Sequence, residues 1–565
     1  MSIQRIGLIA AAAVTLAILG FYASRLAMPQ PIFAGDEATY LIRAMYAPAQ
    51  VARYPAVAAV SNGLDFSVIR ALYYLGAPLV VGDRMVNAAA YLAGLLLVWQ
   101  ASVRGLPRRD QATMALIALA FPYYRFAFSD LAEGLFVGVL ALFCLATGRW
   151  MRSRPMVHAA VAGAIGAALV LVKPTGIAEV GALATVMILD TAVLDPRDAT
   201  AWRRLPLRLA LFATAFFTVG NLIQWAAEEH SASAWTFFVG AFYGAALGQA
   251  RASEGWAMAA FGLAAMVSSV ALLAGAPLTI GLAEVWSGWR AQSGRFKPDG
   301  RQLVFLMLAL SMAATLAMTA LFVREVTGDP HEIQHLFGRY FEFLIPLLWL
   351  AAAPPLVRPL GGRLAFACAG VMLAGLAGLL ACFRAGETVF PWDAASLLAF
   401  FHPDPVRANL GTSIPYQALA AAAGVAAAAI VALRRRVAAA GLGLFLALGV
   451  LSTYLDHSWL GPLVAERAAL DRDLHEIHAA LPPQGDILLL AKEVNEAHLV
   501  FLGLEARPWV EFGPSGPAAA YALATSAAVV VTGPETPPGG PWRRTVKGER
   551  LSLFRRADSA GSTAP

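Results

Sequence analysis

Residues 302–323 read QLVFLMLALSMAATLAMTALFV and contain no charged side chain, while Arg301 and Arg324 stand at the two ends. An α-helix of about 20 apolar residues crosses the hydrocarbon core of a bilayer. Twelve other stretches of the chain have a similar character. We therefore predict a mainly α, polytopic membrane protein of about thirteen transmembrane helices, with spans at 6–23, 84–103, 111–128, 131–148, 157–172, 177–194, 209–225, 256–282, 302–323, 340–357, 364–382, 413–433 and 437–455.

The composition of the whole chain agrees with this prediction. Of its 565 residues, 59% are hydrophobic and only 14% are charged, and the mean hydropathy is +0.63. A soluble domain is about half apolar and a quarter charged, and a single soluble core stops growing near about 300 residues. These values exclude an ordinary soluble enzyme and a disordered chain. Three cysteines are too few for a disulfide scaffold.

The distribution of Lys and Arg predicts the orientation of the chain. With the N-terminus in the cytoplasm, the cytoplasmic loops contain twenty of these residues, whereas the short loops on the other side contain seven. Such an excess marks the cytoplasmic side of a membrane protein. We therefore expect an external C-terminus, and the net charge of +6 needs no nucleic-acid partner.

The first apolar segment follows a short basic flank that ends at Arg5. This pattern is shared by cleaved signal peptides and by uncleaved first spans. We favour an uncleaved span, because a membrane domain follows it directly and the acidic motif described below lies just beyond its end.

Polar sequence is concentrated on the predicted external side. It includes a first loop at 24–83 and a tail at 456–565. The tail alternates patterns typical of an α/β fold, with helices predicted at 464–481, 493–502 and 518–524 and strands at 486–490, 508–512, 528–532 and 550–554. We therefore predict two domains, a multi-pass membrane domain at 1–455 and a small extracytoplasmic α/β domain at 456–565.

The first external loop contains Phe33-Ala34-Gly35-Asp36-Glu37-Ala38-Thr39-Tyr40-Leu41-Ile42-Arg43-Ala44, in which two carboxylates precede an apolar stripe. The helical spacing of the stripe predicts a helix that lies on the membrane surface. Two roles are open for Asp36 and Glu37. They complement the helix dipole as first-turn residues, or they act as catalytic groups.

A second acidic pair lies in the next external turn. Asp130 and Glu133 follow the third predicted span and, being three residues apart, are expected on one face of a helix. Helix capping is again the simple alternative. Carboxylates at a membrane boundary are costly to keep without a partner, which makes this pair a candidate for function.

With these features the chain resembles the GT-C membrane glycosyltransferases, in particular the bacterial lipid A aminoarabinose transferases and the protein O-mannosyltransferases. The resemblance covers the two acidic pairs, the number of spans and the external α/β tail. It extends to a late segment, because a Gly-Arg-Tyr that enters a span is similar to a loop common in bacterial members: His335-Leu336-Phe337-Gly338-Arg339-Tyr340-Phe341-Glu342-Phe343-Leu344-Ile345-Pro346.

The resemblance implies an enzyme that moves a hexosyl or pentosyl group from a polyprenyl phosphate to an acceptor hydroxyl. Attack opposite the leaving phosphate would invert the anomeric centre, and the Ala-rich composition favours a bacterial inner membrane. The acceptor is a lipid, a glycan or a protein, and membrane lipids surround the spans. Asp36 matches the general base of the family and Glu37 lies beside it, while Asp130 and Glu133 are expected to orient the acceptor or a metal. The residues expected to bind the donor phosphate are Arg339, Lys173, Arg53 and Tyr340.

Two of these assignments have structural alternatives. Lys173 lies in a short external turn, where a lysine also serves to reach the membrane interface with its long side chain. Arg339 would equally fit a structural ion pair with a carboxylate of an external loop.

His331-Glu332-Ile333-Gln334-His335 matches H-E-x-x-H, the zinc peptidase pattern. A zinc site needs a third protein ligand, for which Glu342 is a candidate, but the helical stretch around the motif is short. A membrane zinc metalloprotease is therefore the remote alternative. The simplest interpretation of the segment is an ordinary polar loop. A divalent metal or phosphate role for His331 and His335 inside a transferase stays open, and no other cofactor is predicted.

Two further classes of protein fit the hydropathy. A secondary transporter or flippase would place its acidic residues in mid-span around a central cavity, and a scaffold protein would depend on the tail rather than on Asp36. The predicted carboxylates cluster at one membrane face instead. This placement favours an enzyme that works at that face.

Overall fold

The structure is a computed structural model, and it describes the chain apart from residues 1–2, 29, 33, 46–61, 154–155, 195–198, 227–252, 293–295, 326–335, 386–393, 398–415, 434–436, 482–486, 492–493, 505–507, 513–526, 533–536, 538–541 and 557–565. Most of the described residues are helical, and a small sheet lies near the C-terminus.

The helices follow one another with short connections. The first half of the chain contains α1 (Ile3–Ala23), α2 (Ala34–Met45), α3 (Gly63–Tyr74), α4 (Leu79–Val103), α5 (Arg108–Ala120), α6 (Tyr124–Ala127), α7 (Glu133–Ser153), α8 (Met156–Val172), α9 (Ile177–Leu189) and α10 (Ala199–Ala226). The second half contains α11 (Ser253–Ala291), α12 (Gly300–Glu325), α13 (Leu344–Ala351), α14 (Ala353–Leu356), α15 (Gly362–Arg384), α16 (Tyr416–Leu433), α17 (Val437–Ala480) and α18 (Val494–Gly503). Single 3-10 turns occur at Ser24–Ala27, Pro174–Gly176 and Gly338–Tyr340.

Within the described residues, every predicted span includes helical structure, and residues 413–415 of the span at 413–433 lie outside them. Among the described residues, eight helical segments are long and apolar enough to cross a membrane, and Glu133–Gly148 and Met156–Val172 are apolar but shorter. The chain is therefore a mainly α, multi-pass membrane protein, whereas the count of thirteen spans is not confirmed. The orientation of its termini stays a prediction.

Two predicted spans are interrupted, and proline explains both breaks. The span at 111–128 ends as a helix at Ala120, because Phe121 precedes Pro122 and takes an extended backbone with ψ of 125°. The span at 340–357 is divided into α13 and α14 around Ala352, just before Pro354 and Pro355, which lack a backbone N–H donor.

Helix α17 is a single rod of 44 residues that joins the membrane helices to the tail. It includes the predicted last span and the predicted tail helix at 464–481, so the predicted domain boundary falls within it. Inside the membrane part of the rod, the buried Asp456 carboxylate accepts hydrogen bonds from Tyr22 Oη at 2.6 Å and Arg125 Nε at 2.8 Å. Nη2 of Arg25 lies 3.0 Å from the same carboxylate oxygen. These contacts fix α17 to α1 and to the turn that holds α6.

The tail forms a five-stranded sheet in the order β2-β1-β3-β5-β4. Its strands are β1 (Ile487–Ala491), β2 (Pro508–Phe512), β3 (Ala528–Thr532), β4 (Trp542–Lys547) and β5 (Leu551–Arg556). The first three are parallel to one another and β5 runs antiparallel to β3. Four of these strands match the prediction, and the predicted helix at 518–524 lies outside the described residues. The edge strand β4 escaped prediction because its side chains are mostly exposed and polar.

The sheet is tied to the rod through Asp473 of α17. This carboxylate accepts the backbone N–H groups of Glu549, Arg550 and Leu551 at 3.0, 2.6 and 2.8 Å. The turn between β4 and β5 therefore cannot move independently of α17.

Helix α2 forms where the apolar stripe predicts it, but its surroundings differ from the prediction. Leu41, Ile42 and Ala44 are fully buried, and the helix packs against α3 and against α18 of the tail. Its apolar stripe therefore faces protein rather than the membrane surface, because the tail covers it.

Candidate functional site

Asp36 lies in the first turn of α2, with 52% of its side chain exposed. Its Oδ2 atom accepts a hydrogen bond of 2.6 Å from Nη2 of Arg339. Arg339 comes from the Gly338–Tyr340 turn, which precedes α13. The loop after α1, predicted to be external, and the Gly-Arg-Tyr segment, about half the chain apart, therefore meet at this ion pair.

The same guanidinium group reaches Glu133, the first residue of α7. Nε of Arg339 lies 3.1 Å from Oε1 of Glu133, and Nζ of Lys173 donates to that oxygen at 2.7 Å. Glu133, Lys173 and Arg339 are all buried. Breaking one pair in such a cluster leaves a buried charge uncompensated, so each member is held in place by the others. We call these four residues, with Asp36 at the exposed end, the Asp36 cluster.

Aromatic side chains support the two cations of the cluster. Nζ of Lys173 lies 5.0 Å from the centre of the Tyr340 ring, and the Arg339 guanidinium carbon lies 5.6 Å from it. Both distances suit a cation–π contact. The hydroxyl of Tyr123 donates to the backbone carbonyl of Arg339 at 3.1 Å. Tyr340, predicted to bind phosphate, thus lies beside the two predicted cations.

The charge of Arg339 determines the protonation state of the Asp36 carboxylate. Burial raises the pKa of Asp36, but the Arg339 charge and its hydrogen bond outweigh that effect, so the pKa lies below its ordinary value. Burial lowers the pKa of Lys173, which the Glu133 carboxylate opposes. Asp36 is therefore ionised at neutral pH and able to accept a proton.

Glu37 and Asp130 belong to a neighbouring cluster that is fully buried. Oδ2 of Asp130 lies 2.7 Å from Nη2 of Arg84, and Oε1 of Glu37 accepts the backbone N–H of Asp130 at 2.9 Å. The expectation that Asp130 and Glu133 share a helix face is wrong. Helix α7 begins only at Glu133, because Asp130 is held in the preceding turn by Arg84. Asp36 and Glu37, adjacent in the sequence, thus belong to different clusters.

Arg84 is a site residue that the sequence prediction missed. Besides pairing with Asp130, it donates to the backbone carbonyls of Arg25, Met28 and Gln30 at 3.1, 2.7 and 2.8 Å. It therefore joins the segment before α2 to the turn before α7. The available signal was an arginine at the start of an apolar segment, where a charge is costly unless it has partners.

A close helix contact brings these turns together. Gly134 packs so tightly on Asn87 of α4 that a Cβ atom there would overlap the Asn87 carbonyl oxygen. Oδ1 of Asn87 in turn accepts the backbone N–H of Leu135 at 2.9 Å. Only glycine allows this approach, which sets the start of α7 beside Arg84.

Asp65 of α3 is a further buried carboxyl group that the sequence prediction missed. Burial and the neighbouring Glu133 carboxylate raise the pKa of Asp65 above its ordinary value, and the Lys173 charge opposes them. Asp65 is therefore close enough to Glu133 and Lys173 for their charges to act on it. Its motif, Leu64-Asp65-Phe66, carries no signal beyond the single charge.

The predicted metal and phosphate ligands are only partly within the described residues. Arg53, His331 and His335 lie outside them. Glu342, the candidate third zinc ligand, is buried and accepts hydrogen bonds from the backbone N–H of Ala395 at 2.8 Å and from Oγ of Ser396 at 2.5 Å. Within the described part of the chain, no group of three or more His, Cys, Asp or Glu side chains is arranged to hold a metal ion.

Comparison with known proteins identifies the fold. No protein-family model matches the sequence, and no curated protein is significantly similar to it. Among solved structures, ArnT from Cupriavidus metallidurans bound to undecaprenyl phosphate superposes with a TM-score of 0.56 at 16% identity, over 97% of each chain. The apo form of the same protein gives a TM-score of 0.50 at 17% identity, over 99% of each chain.

These superpositions extend through the membrane helices and the tail. The resemblance to GT-C glycosyltransferases, expected from the acidic pairs and the Gly-Arg-Tyr segment, is therefore confirmed at the level of the fold. The chain therefore has the fold of these ArnT structures.

Proposed function

We propose that this protein is a membrane glycosyltransferase that moves a sugar from a polyprenyl phosphate to an acceptor hydroxyl at the external face, with inversion. The observation that carries the proposal is the Asp36 cluster. It combines one half-exposed carboxylate with two buried cations, Lys173 and Arg339. Sugar transfer from a phosphate needs both kinds of group side by side.

Asp36 is the proposed general base. As the acceptor oxygen bonds to the anomeric carbon, its proton passes to a carboxylate oxygen of Asp36, and the bond from the anomeric carbon to the phosphate oxygen breaks. A positioned base contributes about 10²–10⁴-fold to such a step. Asp36 suits this role because it is the exposed member of the cluster. Attack opposite the leaving phosphate inverts the anomeric centre.

Lys173 and Arg339 are proposed to stabilise the departing polyprenyl phosphate. This group changes from a diester to a monoester and gains one negative charge as it leaves. Prearranged cations stabilise charge that develops in a transition state. Both cations converge on one oxygen of Glu133, which positions them for a shared anionic ligand.

A donor phosphate and Asp36 would compete for the same guanidinium group. While Arg339 is paired with Asp36, it keeps the pKa of that carboxylate low and makes it a weak base. Once the phosphate draws Arg339 away, the pKa of Asp36 rises. The base is thus strengthened by the binding of the donor that it serves.

The fold supports a lipid-linked donor. The structure of ArnT with which this chain superposes contains undecaprenyl phosphate, and the helices around the Asp36 cluster are apolar enough to border a polyprenyl tail in the membrane. A lipid carrier also suits the predicted external location, since nucleotide sugars are made in the cytosol. The identity of the sugar and of the acceptor is left to experiment.

The test uses the full-length protein in nanodiscs and a panel of labelled undecaprenyl-phosphate hexoses and pentoses. Membranes from a host that lacks the gene supply the acceptor. We expect the wild-type protein to transfer label from one donor, and Asp36→Asn to reduce the rate by at least about 10²-fold. The matched control is Glu549→Gln, which removes the charge of an exposed carboxylate in the tail and should leave transfer unchanged. Transfer by Asp36→Asn at the wild-type rate would overturn the role of the base, and no transfer from any donor by the wild-type protein would overturn the proposed function.

A further inference from the structure

The hairpin formed by β4 and β5 carries most of the positive charge of the tail. Residues 542–556 contain six Lys or Arg residues and one acidic residue, whereas the rest of 456–565 contains four Lys or Arg residues and twelve acidic ones. In the described sheet the hairpin lies at one end, with β4 as the edge strand. Its charge is therefore a local feature that the composition of the whole tail does not explain.

Two of these cations attach the hairpin to α17. Nη2 of Arg550 lies 2.8 Å from Oε1 of Glu466. The guanidinium group of Arg555 donates a hydrogen bond to the backbone carbonyl of Ala480, the last residue of the helix. These contacts give Arg550 and Arg555 a structural role, but they do not involve the cations on the other face of the hairpin.

The strand register gathers three cations on that other face. Trp542 lies opposite Arg556, and two residues further along β4, Arg544 lies opposite Phe554. Side chains two residues apart share one face of a strand. After a bulge in β4, the register brings Lys547 to the same side. Arg544 and Lys547 are exposed, and we call the surface formed by these five side chains the Arg544 face.

Aromatic rings support the two arginines of the Arg544 face. The guanidinium carbon of Arg544 lies 5.1 Å from the centre of the Phe554 ring, and that of Arg556 lies 5.4 Å from the centre of the Trp542 ring. Phe554 is buried, so its ring is a fixed support. Diagonal neighbours such as Arg544 and Arg556 are about 7–8 Å apart at their α-carbons. A stacked guanidinium group is pre-oriented, and its N–H groups can bind two oxygens of an anion.

Protection of the sheet edge does not explain this arrangement. Charged side chains on an edge strand hinder its pairing with another chain, which would account for Lys547 on β4. Arg556, however, belongs to β5, and this strand lies between β3 and β4. The Arg544 face thus extends over two strands, which suits a ligand that lies on the face of the sheet rather than along its edge.

The Arg544 face lies well beyond the lipid headgroups. Among the described residues, the last candidate membrane span ends at Ser458 of α17, whereas Arg555, next to Arg556, contacts Ala480 at the end of that helix. A rise of 1.5 Å per residue puts Ala480 about 30 Å beyond Ser458. A usual tilt of about 20° shortens this height only slightly, and the headgroup layer of one leaflet is about 5–8 Å thick. The face is therefore placed for a partner outside the membrane.

We propose that the Arg544 face is a docking site for a phosphorylated glycan on the external side of the membrane. A phosphate monoester carries up to about two negative charges and three acceptor oxygens, so one such group can bind two neighbouring guanidinium groups. A carboxylate of an acidic polypeptide carries one charge and matches a single guanidinium group. Lys547 suits a further phosphate of the same glycan. This binding site is separate from the Asp36 cluster and does not depend on the proposed sugar transfer.

The experiment measures the binding of inositol hexakisphosphate, a ring that carries clustered phosphate monoesters, to the full-length protein in phosphatidylcholine nanodiscs by calorimetry. We expect Arg544→Gln/Arg556→Gln to raise Kd at least about tenfold, because two charge-assisted contacts are lost. The matched control is Arg203→Gln/Arg204→Gln, which removes the same charge from exposed residues of α10 and should match wild type. An equal effect of the two double variants, or no binding by the wild-type protein, would overturn the proposal.

Two further variants separate specific recognition from net charge and from folding. Arg544→Lys/Arg556→Lys keeps the charge but not the planar donors, and it should raise Kd at least about threefold. Lys547→Gln leaves both ring contacts intact and should also raise Kd at least about threefold. An unchanged Kd in either variant would overturn the proposal. Each variant is melted in detergent, and a rise in Kd seen only in variants with a lower thermal midpoint would overturn it as well.

The chemistry of the ligand is tested by competition and by pH. Binding of inositol hexakisphosphate should strengthen as the pH rises through about 6, where phosphate monoesters lose their second proton, whereas inositol hexakissulfate should bind more weakly and show no such change. Equal binding of the sulfate would overturn the proposal. Displacement of the phosphate probe by poly-L-glutamate would assign the face to an acidic polypeptide, and displacement by phosphatidylglycerol vesicles would assign it to a lipid surface. Either result would overturn the glycan assignment.

Discussion

Asp456→Asn is expected to weaken the junction between α17 and the membrane helices. The wild-type junction contains two buried guanidinium groups, from Arg25 and Arg125, and one buried carboxylate. The substitution leaves both positive charges within a few ångströms of each other without a counter-charge. Removing one partner of a buried ion pair typically costs about 3–5 kcal/mol. The thermal midpoint of the detergent-solubilised protein should therefore fall clearly.

The charge balance supplies a matched control. Arg25→Met leaves Arg125 and Asp456 as a neutral pair and removes mainly the stacking of Arg25 on the Tyr22 ring, whose centre lies 4.3 Å away. This contact is worth about 1–2 kcal/mol, so the loss should be smaller. In the double variant Asp456→Asn/Arg25→Met, part of the stability should return, because one of the two uncompensated charges is gone.

Thermal melts followed by tryptophan fluorescence measure all three variants under one set of conditions. The expected order of midpoints is wild type, Arg25→Met, the double variant and Asp456→Asn. If Asp456→Asn melted with or above Arg25→Met, the carboxylate would not be the centre of the junction, and α17 would have to be held by apolar packing alone.

Three further results follow from the same geometry. Because Arg339 lowers the pKa of Asp36, Arg339→Gln should raise that pKa and move the acid limb of the pH profile of kcat/KM to higher pH. An acid limb at unchanged pH would contradict the pairing of Arg339 with Asp36. In the wild-type protein, the acid limb of kcat should lie at higher pH than that of kcat/KM, since the bound donor takes over Arg339; coincident limbs would argue against that exchange. Asp473→Ala leaves backbone N–H groups of the β4–β5 turn unpaired, which should lower the stability of the tail by about 1–3 kcal/mol. Limited proteolysis should therefore cut within 487–556 earlier than in wild type or in Glu476→Ala, a control at an exposed residue of α17. Equal cleavage would show that apolar packing holds the sheet.

Hydropathy predicted where the helices lie, because a long apolar segment in a membrane has to satisfy its backbone hydrogen bonds internally and therefore forms a helix. It could not predict where they break. Pro122 and the pair Pro354-Pro355 stop or divide helices whose apolar character continues without interruption. The continuity of α17 was missed for the opposite reason. Its composition changes from apolar to charged near Asp456, yet helical hydrogen bonding continues in both environments.

The site was predictable where a charge stood out against an apolar background. Asp36, Glu133 and Lys173 stood out in this way, whereas Arg339 was selected through the resemblance of its Gly-Arg-Tyr segment, and the structure brings the four into one cluster. Which acid pairs with which cation was not predictable, because it depends on packing between segments remote in the sequence, of which the contact of Gly134 with Asn87 is one example.

The packing of α18 on α2 was missed because nothing in a short tail helix points to α2. This packing depends on links at Asp456 and Asp473 that are remote from α2 in the sequence. Local patterns therefore predict which residues carry charge, and only the packed fold shows which of them act together.

The position of the charges favours the proposed enzyme over a transporter. A transporter has to bind its cargo near the middle of the membrane and expose the site to both sides in turn. The four members of the Asp36 cluster lie instead at the ends of helices. Asp36 is in the first turn of α2 and Glu133 is the first residue of α7. Lys173 follows α8, and Arg339 precedes α13. Three of them are buried in mutual ion pairs, and only Asp36 is substantially exposed. A cluster with one accessible carboxylate suits the proton transfer of the proposed reaction, in which Asp36 accepts the proton of the acceptor hydroxyl.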